Sequence, residues 1–547
     1  ARNIKEYFES IGEFMGFKTI FLKNFTSGDI ESIDDVTEMY DDYEQIIEKL
    51  KDRNLYISLL ITLVFFGIFI KMDFATDTYS LIQDPVSKMF THFMSSGRFV
   101  TAFWWQVSNA IGLGFGKIYF CSFALAIICF TLSIYNLFLV LNKKIKNEAI
   151  CILVSTITII NPFSIELFLF MEKGIFGLTV LLTVLAFCKF VKFLDGDKKA
   201  LVYTFVFMLL ATFSYQCIIG LFIALSTIYI ILYSKNIKEF IINNIVVLLE
   251  YGIPAVINFA VIRLFFSNDR VNGAINFAES IQKVISGSKE MLATYTILPK
   301  YTFAKLITIL FVLAIVLIFI NKKDKISTKI LKILGIVYVC FATIAITIIP
   351  QLMQNTESIW FVPRSTYPFG AIVGIMCIFI LVNTLNQNNI TNKNIKGLSK
   401  LQRTQIPIII IGVICTVLLI LQLFEFNKIE IDHYNLNYMD KMNSLTIGEE
   451  IKKYEQETGN KVTKICIYSD KNLNYTYPNI WAHKDINISG FGPDWSVIDM
   501  INYFNNIELV QVDGDPEIEM SFKECDWNDF STDQIIFVGD TIHYCRF

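Results

Sequence analysis

The chain has 547 residues, 54% of them hydrophobic and 18% charged, with a formal net charge of −3, and its mean hydropathy is +0.51. A soluble domain seldom carries that average, so lipid must solvate much of the surface, and the fold class expected is a polytopic α-helical membrane protein. No basic motif stands apart from the membrane-flanking loops, which argues against nucleic acid as a partner, and no CxxC pair occurs among the 11 cysteines, which argues against zinc and iron–sulfur sites.

Residues 1–52 precede the first apolar run and are mostly polar, so no cleavable signal peptide is expected. Within them Ile4, Tyr7, Phe8, Ile11, Phe14, Met15 and Leu22 recur at helical spacing among lysines, as in a helix lying in the membrane interface. An acidic stretch from Asp29 to Asp42 follows; the segment reads either as a docking arm for a partner enzyme or as a helix packed under the bundle. A bilayer core requires about 20 apolar residues per helix. About eleven runs qualify, near 54–72, 117–141, 148–164, 172–193, 200–214, 216–233, 244–266, 303–321, 330–350, 366–385 and 406–424. Leu201–Ser214 is short and Pro162 interrupts the third run, as in helices that stop or break where they line a cavity.

Basic loops at Lys143–Lys146, Lys189–Lys199, Lys235–Lys238, Lys322–Lys325 and Lys393–Arg403 share a face with the N-terminal segment, which the positive-inside rule makes cytoplasmic. The loops near 73–116, 162–172, 267–302 and 351–365 then lie outside, together with residues 426–547. The expected organisation is therefore a segment 1–52, a transmembrane part 53–425 with a long first outer loop 73–116, and a small α/β domain 426–547. Strand-like runs in that last part are Lys464–Tyr468, Glu508–Val512, Gln534–Val538 and Thr541–Phe547, with helical patterns near Ile447–Glu457 and Trp495–Phe504. Cys525 and Cys545, on an oxidising side, are candidates for a disulfide.

The first outer loop is too long for a mere connection, and its apolar face includes Trp104 and Trp105, suited to the headgroup level. Asp73 and Asp77 are four residues apart, so one helical turn would set both carboxylates on one face. A sugar hydroxyl has a pKa far above 7, so a transferase requires a carboxylate to take its proton, and Asp77, beside Tyr79, is the preferred base; the alternative is that these aspartates cap helices. Arg98, Arg263, Arg270 and Arg364 stand at outer boundaries against the charge pattern and each needs a partner. That partner is either a lipid-linked phosphate, which arginine grips bidentately, or a carboxylate such as Glu357 or Asp269. Glu166 reads as a second carboxylate or as a partner of Lys173, while Ser214-Tyr215-Gln216 marks another outer turn. The four histidines share no ligand spacing, and no Gly-rich phosphate loop is present, so a nucleotide-sugar site is not supported.

Asp77-Thr-Tyr79 in a long first outer loop and Ser96-Gly97-Arg98-Phe99 resemble the membrane glycosyltransferases of the GT-C fold, nearest the Gtr-type glucosyltransferases of bacterial surface polysaccharides. Asn161-Pro162-Phe163, Ser214-Tyr215-Gln216 and Pro363-Arg364 fit the same group. The resemblance implies a hexose, glucose foremost, carried on a polyprenyl phosphate and moved by an inverting displacement to a surface polysaccharide or teichoic-acid-like acceptor. It implies a multi-pass protein of the bacterial plasma membrane, with donor-synthesising or flipping partners. By position Asp77 would be the base, with Asp73 or Glu166 a second acid. By the same carry-over Arg98 and Arg364 would hold the donor phosphate; from their positions Arg270 is a further candidate for it, and Tyr79, Tyr215, Gln216 and Trp104 are candidates for the acceptor. Many relatives carry two adjacent carboxylates where Thr76-Asp77-Thr78 has one, which leaves a divalent metal open. A lipid or glycan transporter and a non-catalytic subunit of a polysaccharide machine are the rival readings.

Overall fold

Apolar runs become helices because a backbone surrounded by lipid must satisfy its own hydrogen bonds. The computed structural model describes residues 50–234, 236–266, 276–293, 302–320, 325–352, 355–389 and 399–547. Residues 58–547 form one compact unit. The interfacial helix and acidic stretch expected before residue 50 lie outside the described residues.

Helix α1 (Arg53–Phe66) runs on as a 3-10 turn to Ile70. Three short helices follow, α2 (Thr76–Gln83), α3 (Val86–Ser95) and α4 (Phe99–Ala110). Then come α5 (Phe115–Ile145), α6 (Glu148–Ile159), the four-residue α7 (Glu166–Leu169), α8 (Lys173–Leu194), α9 (Ala200–Ser214), α10 (Gly220–Tyr233) and α11 (Ile237–Phe265). Helices α12 (Phe277–Ala293), α13 (Thr302–Ile320), α14 (Ile326–Leu352), α15 (Tyr367–Gly370), α16 (Ile372–Asn389) and α17 (Ser399–Thr458) complete the helical part. Among the described residues, seven helical segments are long and apolar enough to cross a membrane: Arg53–Ile70, α5, α8, α11, Ile326–Thr343, Arg364–Asn383 and Ile408–Thr458. Apolar helices of 10–17 residues, Glu148–Ile159, Ala200–Ser214, Gly220–Tyr233 and Ala304–Phe319, stand at the other four expected positions. Helices α5 and α8 lie close together through Gly174 and Gly177. A Cβ on Gly174 would sit 2.7 Å from the Ser122 carbonyl oxygen, and one on Gly177 3.0 Å from Ala126 Cα.

The break foreseen at Pro162 is real. Helix α6 stops at Ile159, and residues 160–171 stay buried as an irregular turn around α7. Such backbone is tolerated away from water only with partners. Asn161 Oδ1 accepts from Phe163 N at 2.9 Å, Tyr367 Oη donates to Ile159 O at 2.6 Å, and Gln422 Nε2 donates to Ile160 O at 2.9 Å.

Helix α17 continues through residue 425 without interruption, and the helical pattern at Ile447–Glu457 is its final part. Strands β1 (Lys464–Ser469), β2 (Val510–Gln511), β3 (Ile535–Val538) and β4 (Thr541–Arg546) form one sheet in the order β2-β1-β4-β3, at the four strand-like runs. β1 pairs parallel with β2 and β4, and β3 pairs antiparallel with β4. Helices α18 (Asp494–Asn505) and α19 (Pro516–Lys523) accompany it. Buried Asp440 on α17 ties the intervening loop down, accepting from Tyr477 Oη at 2.8 Å, Ser489 Oγ at 2.5 Å and Gly490 N at 2.8 Å. Cys525 and Cys545 are both free thiols.

Candidate functional site

Charged residues collect at one end of the helices, in two corners. The first is built on the turn between α3 and α4. Gly97 adopts φ +71°, and a Cβ there would meet Ile262 Cδ1 at 2.5 Å, Asn258 Oδ1 at 2.6 Å and Gln216 Nε2 at 2.7 Å, so any side chain there would be strained. Gln216 Nε2 donates to Ser96 O at 3.2 Å and Gly97 O at 3.0 Å, and Asn258 Nδ2 donates to Gly97 O at 2.8 Å. This turn delivers Arg98, whose guanidinium lies 4.9 Å over the Tyr215 ring, with Nη1 3.9 Å from Glu172 Oε1. Burial pushes the Glu172 carboxyl up; the nearby Arg98 opposes this and the charge of Asp77 adds to it. Burial also pushes the Tyr215 hydroxyl up, so it serves as a neutral group.

The second corner centres on Arg364. Its Nη1 lies 2.7 Å from Glu166 Oε1 and 2.7 Å from Asp485 Oδ2, and its backbone N–H donates to Glu166 Oε2 at 2.7 Å. The Phe170 ring centroid is 4.0 Å from the guanidinium carbon. Glu166 is fully buried, and burial lifts its carboxyl to about 7 although Arg364 pulls the other way; Asp485 adds a further upward push. Trp360 Nε1 donates to Asp485 Oδ1 at 3.1 Å.

Asp77 is near enough to Glu172 of the first corner and Arg364 of the second for its charge to act on both, and Asp73 stands near Lys173 and Lys71. Helix α2 begins at Thr76, so the single helical turn that would align the two carboxylates does not form. Asp73 lies before it, and Phe74 is pinned to α17 by Asn437, whose Oδ1 accepts from Phe74 N at 2.8 Å. Burial raises the Asp73 carboxyl, with Lys173 and then Lys71 opposing. Lys173, itself buried, donates from Nζ to Tyr119 Oη at 2.7 Å. Asp77, in the first turn of α2, is exposed. Its carboxylate makes no hydrogen bond or ion pair among the described residues, yet its charge reaches both Glu172 and Arg364.

Several expectations change. Glu166 pairs with Arg364, not Lys173, and Arg364 meets Glu166 and Asp485 in place of Glu357. Gln216 is engaged with the Gly97 turn. Tyr79 is buried against Phe74 and Phe504, with ring centroids 5.3 Å and 6.0 Å away, and faces the packed C-terminal part. Trp105 is buried among Met89, Phe93 and Ile118, whereas Trp104 is half-buried and Arg263 exposed. Arg270 and Asp269 lie outside the described residues. Asp485 and Asn258 escaped the sequence reading, since neither belongs to a motif or a charge anomaly. Among the described residues no three His, Cys, Asp or Glu side chains converge as a metal-ligand set; the buried carboxylates here face cations.

The family described as Glucosyl transferase GtrII matches residues 66–375, more than half of the chain. No curated protein matches it. Asp73, Asp77, Arg98, Glu166, Glu172, Tyr215 and Arg364 fall inside the matched stretch and Asp485 beyond it, and the chain thus belongs to the GtrII glucosyl transferase family.

Proposed function

We propose that the protein moves glucose from a polyprenyl-phosphate carrier to a cell-surface glycan on the extracytoplasmic side, with Asp77 as general base. The observation that carries this reading is the exposed Asp77 carboxylate, which makes no hydrogen bond or ion pair among the described residues and whose charge reaches Arg364 and Glu172, itself paired with Arg98. An acceptor hydroxyl oxygen attacks the anomeric carbon while its proton passes to Asp77. The bond from that carbon to the phosphate oxygen breaks, the electron pair leaves on the phosphate, and the single displacement inverts the anomeric centre. A phosphate leaving group requires little acid help, so the remaining demand is position and charge.

The two arginines suit that demand differently. Arg98 is held loosely by Glu172 and supplies positive charge. In Arg364 both short contacts to carboxylates use Nη1, while Nε and Nη2 make no hydrogen bond among the described residues. That N–H edge has the fork geometry that grips a phosphate. The distribution of basic loops favours an N-terminus in the cytoplasm and this end of the bundle outside. The test supplies the purified protein with either polyprenyl-phosphate-glucose or nucleotide-linked glucose and an envelope glycan. Transfer from the lipid donor alone is expected; transfer from the nucleotide donor alone would discard the carrier assignment.

A further inference from the structure

We propose that Asp485, contributed by the chain beyond the matched family stretch, is a positioning residue for the donor phosphate: with Glu166 it fixes the Arg364 guanidinium through Nη1 and leaves the Nε–Nη2 edge to face the phosphate. The proposal rests on the reading of Arg364 as a phosphate ligand given above.

The turn that carries Asp485 is built for one conformation. His483 and Ile486 exchange backbone hydrogen bonds of 3.0 Å and 2.9 Å. Lys484 and Asn487 hold φ values of +52° and +55°, a region side-chain-bearing residues adopt at a cost, and they flank the turn's Asp485 and Ile486. The Asn487 side chain locks the turn to α17 and to its own loop. Its Nδ2 donates to Ile429 O at 3.1 Å and Trp481 O at 3.0 Å, and its Oδ1 lies 3.2 Å from His433 Nδ1. The carboxylate that results is divided between two residues of one loop, Oδ1 to Trp360 Nε1 and Oδ2 to Arg364 Nη1. Lys484 lies 4.9 Å over the same Trp360 ring. The guanidinium is therefore bracketed at Nη1 by two carboxylates and on a face by Phe170.

Charge separates positioning from simple attraction. Two carboxylates meet one guanidinium, so Asp485 adds nothing to the pull on an anion and works against it. If its role were only that charge, removing it would tighten donor binding. If it aims the guanidinium, removing it weakens donor binding, because a phosphate must then bear the cost of ordering the side chain.

The full chain in nanodiscs is assayed for binding of polyprenyl phosphate without sugar and for turnover of polyprenyl-phosphate-glucose. Asp485→Asn is expected to weaken polyprenyl phosphate binding and raise the donor KM about tenfold, with kcat at saturating donor within about threefold of the parent. Asp485→Glu should restore part of the loss. Trp360→Phe, which removes the N–H and keeps an aromatic ring, should shift KM the same way by roughly two- to threefold, and it serves where Asp485→Asn does not fold. Arg364→Gln should weaken binding at least as much as Asp485→Asn. Unchanged or tighter donor binding by folded Asp485→Asn, with Arg364→Gln weakened, overturns the positioning role alone. Parent-like binding by Arg364→Gln removes the phosphate from Arg364 and the role of Asp485 with it.

Discussion

Arg98 and Arg364 are both half-buried cations at the same end of the bundle, yet one is loose and the other fixed. Arg98 has a single carboxylate at 3.9 Å and an aromatic face, and its backbone is set by a glycine turn. Arg364 has two carboxylates at 2.7 Å, a backbone contact to one of them, and a ring 4.0 Å away. A loosely paired cation keeps its charge available, whereas a doubly paired one surrenders net charge and gains direction. The two settings would suit different tasks, charge from Arg98 and direction from Arg364.

The largest effect is expected at Arg364. Replacing it with alanine strands the fully buried Glu166, so a destabilisation of about 3–5 kcal/mol is expected from thermal unfolding, together with loss of donor binding. Arg98→Ala should unfold within about 1 kcal/mol of the parent, since its pair is long and partly exposed, while still losing donor affinity. Equal destabilisation by the two variants would erase the distinction.

A smaller effect is expected from Gly97→Ala. The left-handed backbone and the atoms waiting 2.5–2.7 Å from the added Cβ should cost about 1–3 kcal/mol. The donor KM should rise because Arg98 moves, while a parent-like KM would mean that Arg98 is not positioned by this turn.

The smallest effect is expected from pH. The Glu166 carboxyl stands near 7 in the fold, above its unfolded value, so the folded state holds the proton more tightly. Its contribution to stability is full below the unfolded value and is lost as pH rises through about 7. Parent thermal stability should therefore fall between about pH 5 and pH 8 more steeply than that of Glu166→Gln. Parallel profiles would show that Arg364 holds Glu166 ionised throughout.

Part of this site was legible in the sequence for a physical reason. Arg98, Arg364 and Glu166 are charges at the ends of apolar runs, where an unpaired charge is costly, so each announces that a partner exists. The partner's identity was not legible. Glu166 and Arg364 are 198 residues apart, and the nearby Lys173, the natural guess, turns to Tyr119 instead. Gln216 looked like a substrate contact because it is polar at an outer turn, but its amide satisfies the Gly97 carbonyl. Tyr79 sits beside Asp77 in sequence and on another side of α2, which directs it into packing with Phe504. The apolar runs themselves translated into helices at every expected position, while the stop at Ile159 is held by distant partners, Tyr367 and Gln422, and the loop after α17 is tied back to that helix through Asp440.

The most direct test of the account is transfer of glucose from polyprenyl-phosphate-glucose by the parent, Asp77→Asn and Asp77→Glu in equal folded amounts, with the anomeric configuration of the product read by NMR. The parent should give an inverted product, Asp77→Asn a loss of about 10²–10⁴-fold, and Asp77→Glu partial recovery. Parent-like transfer by Asp77→Asn, or a product that retains the donor configuration, would contradict it.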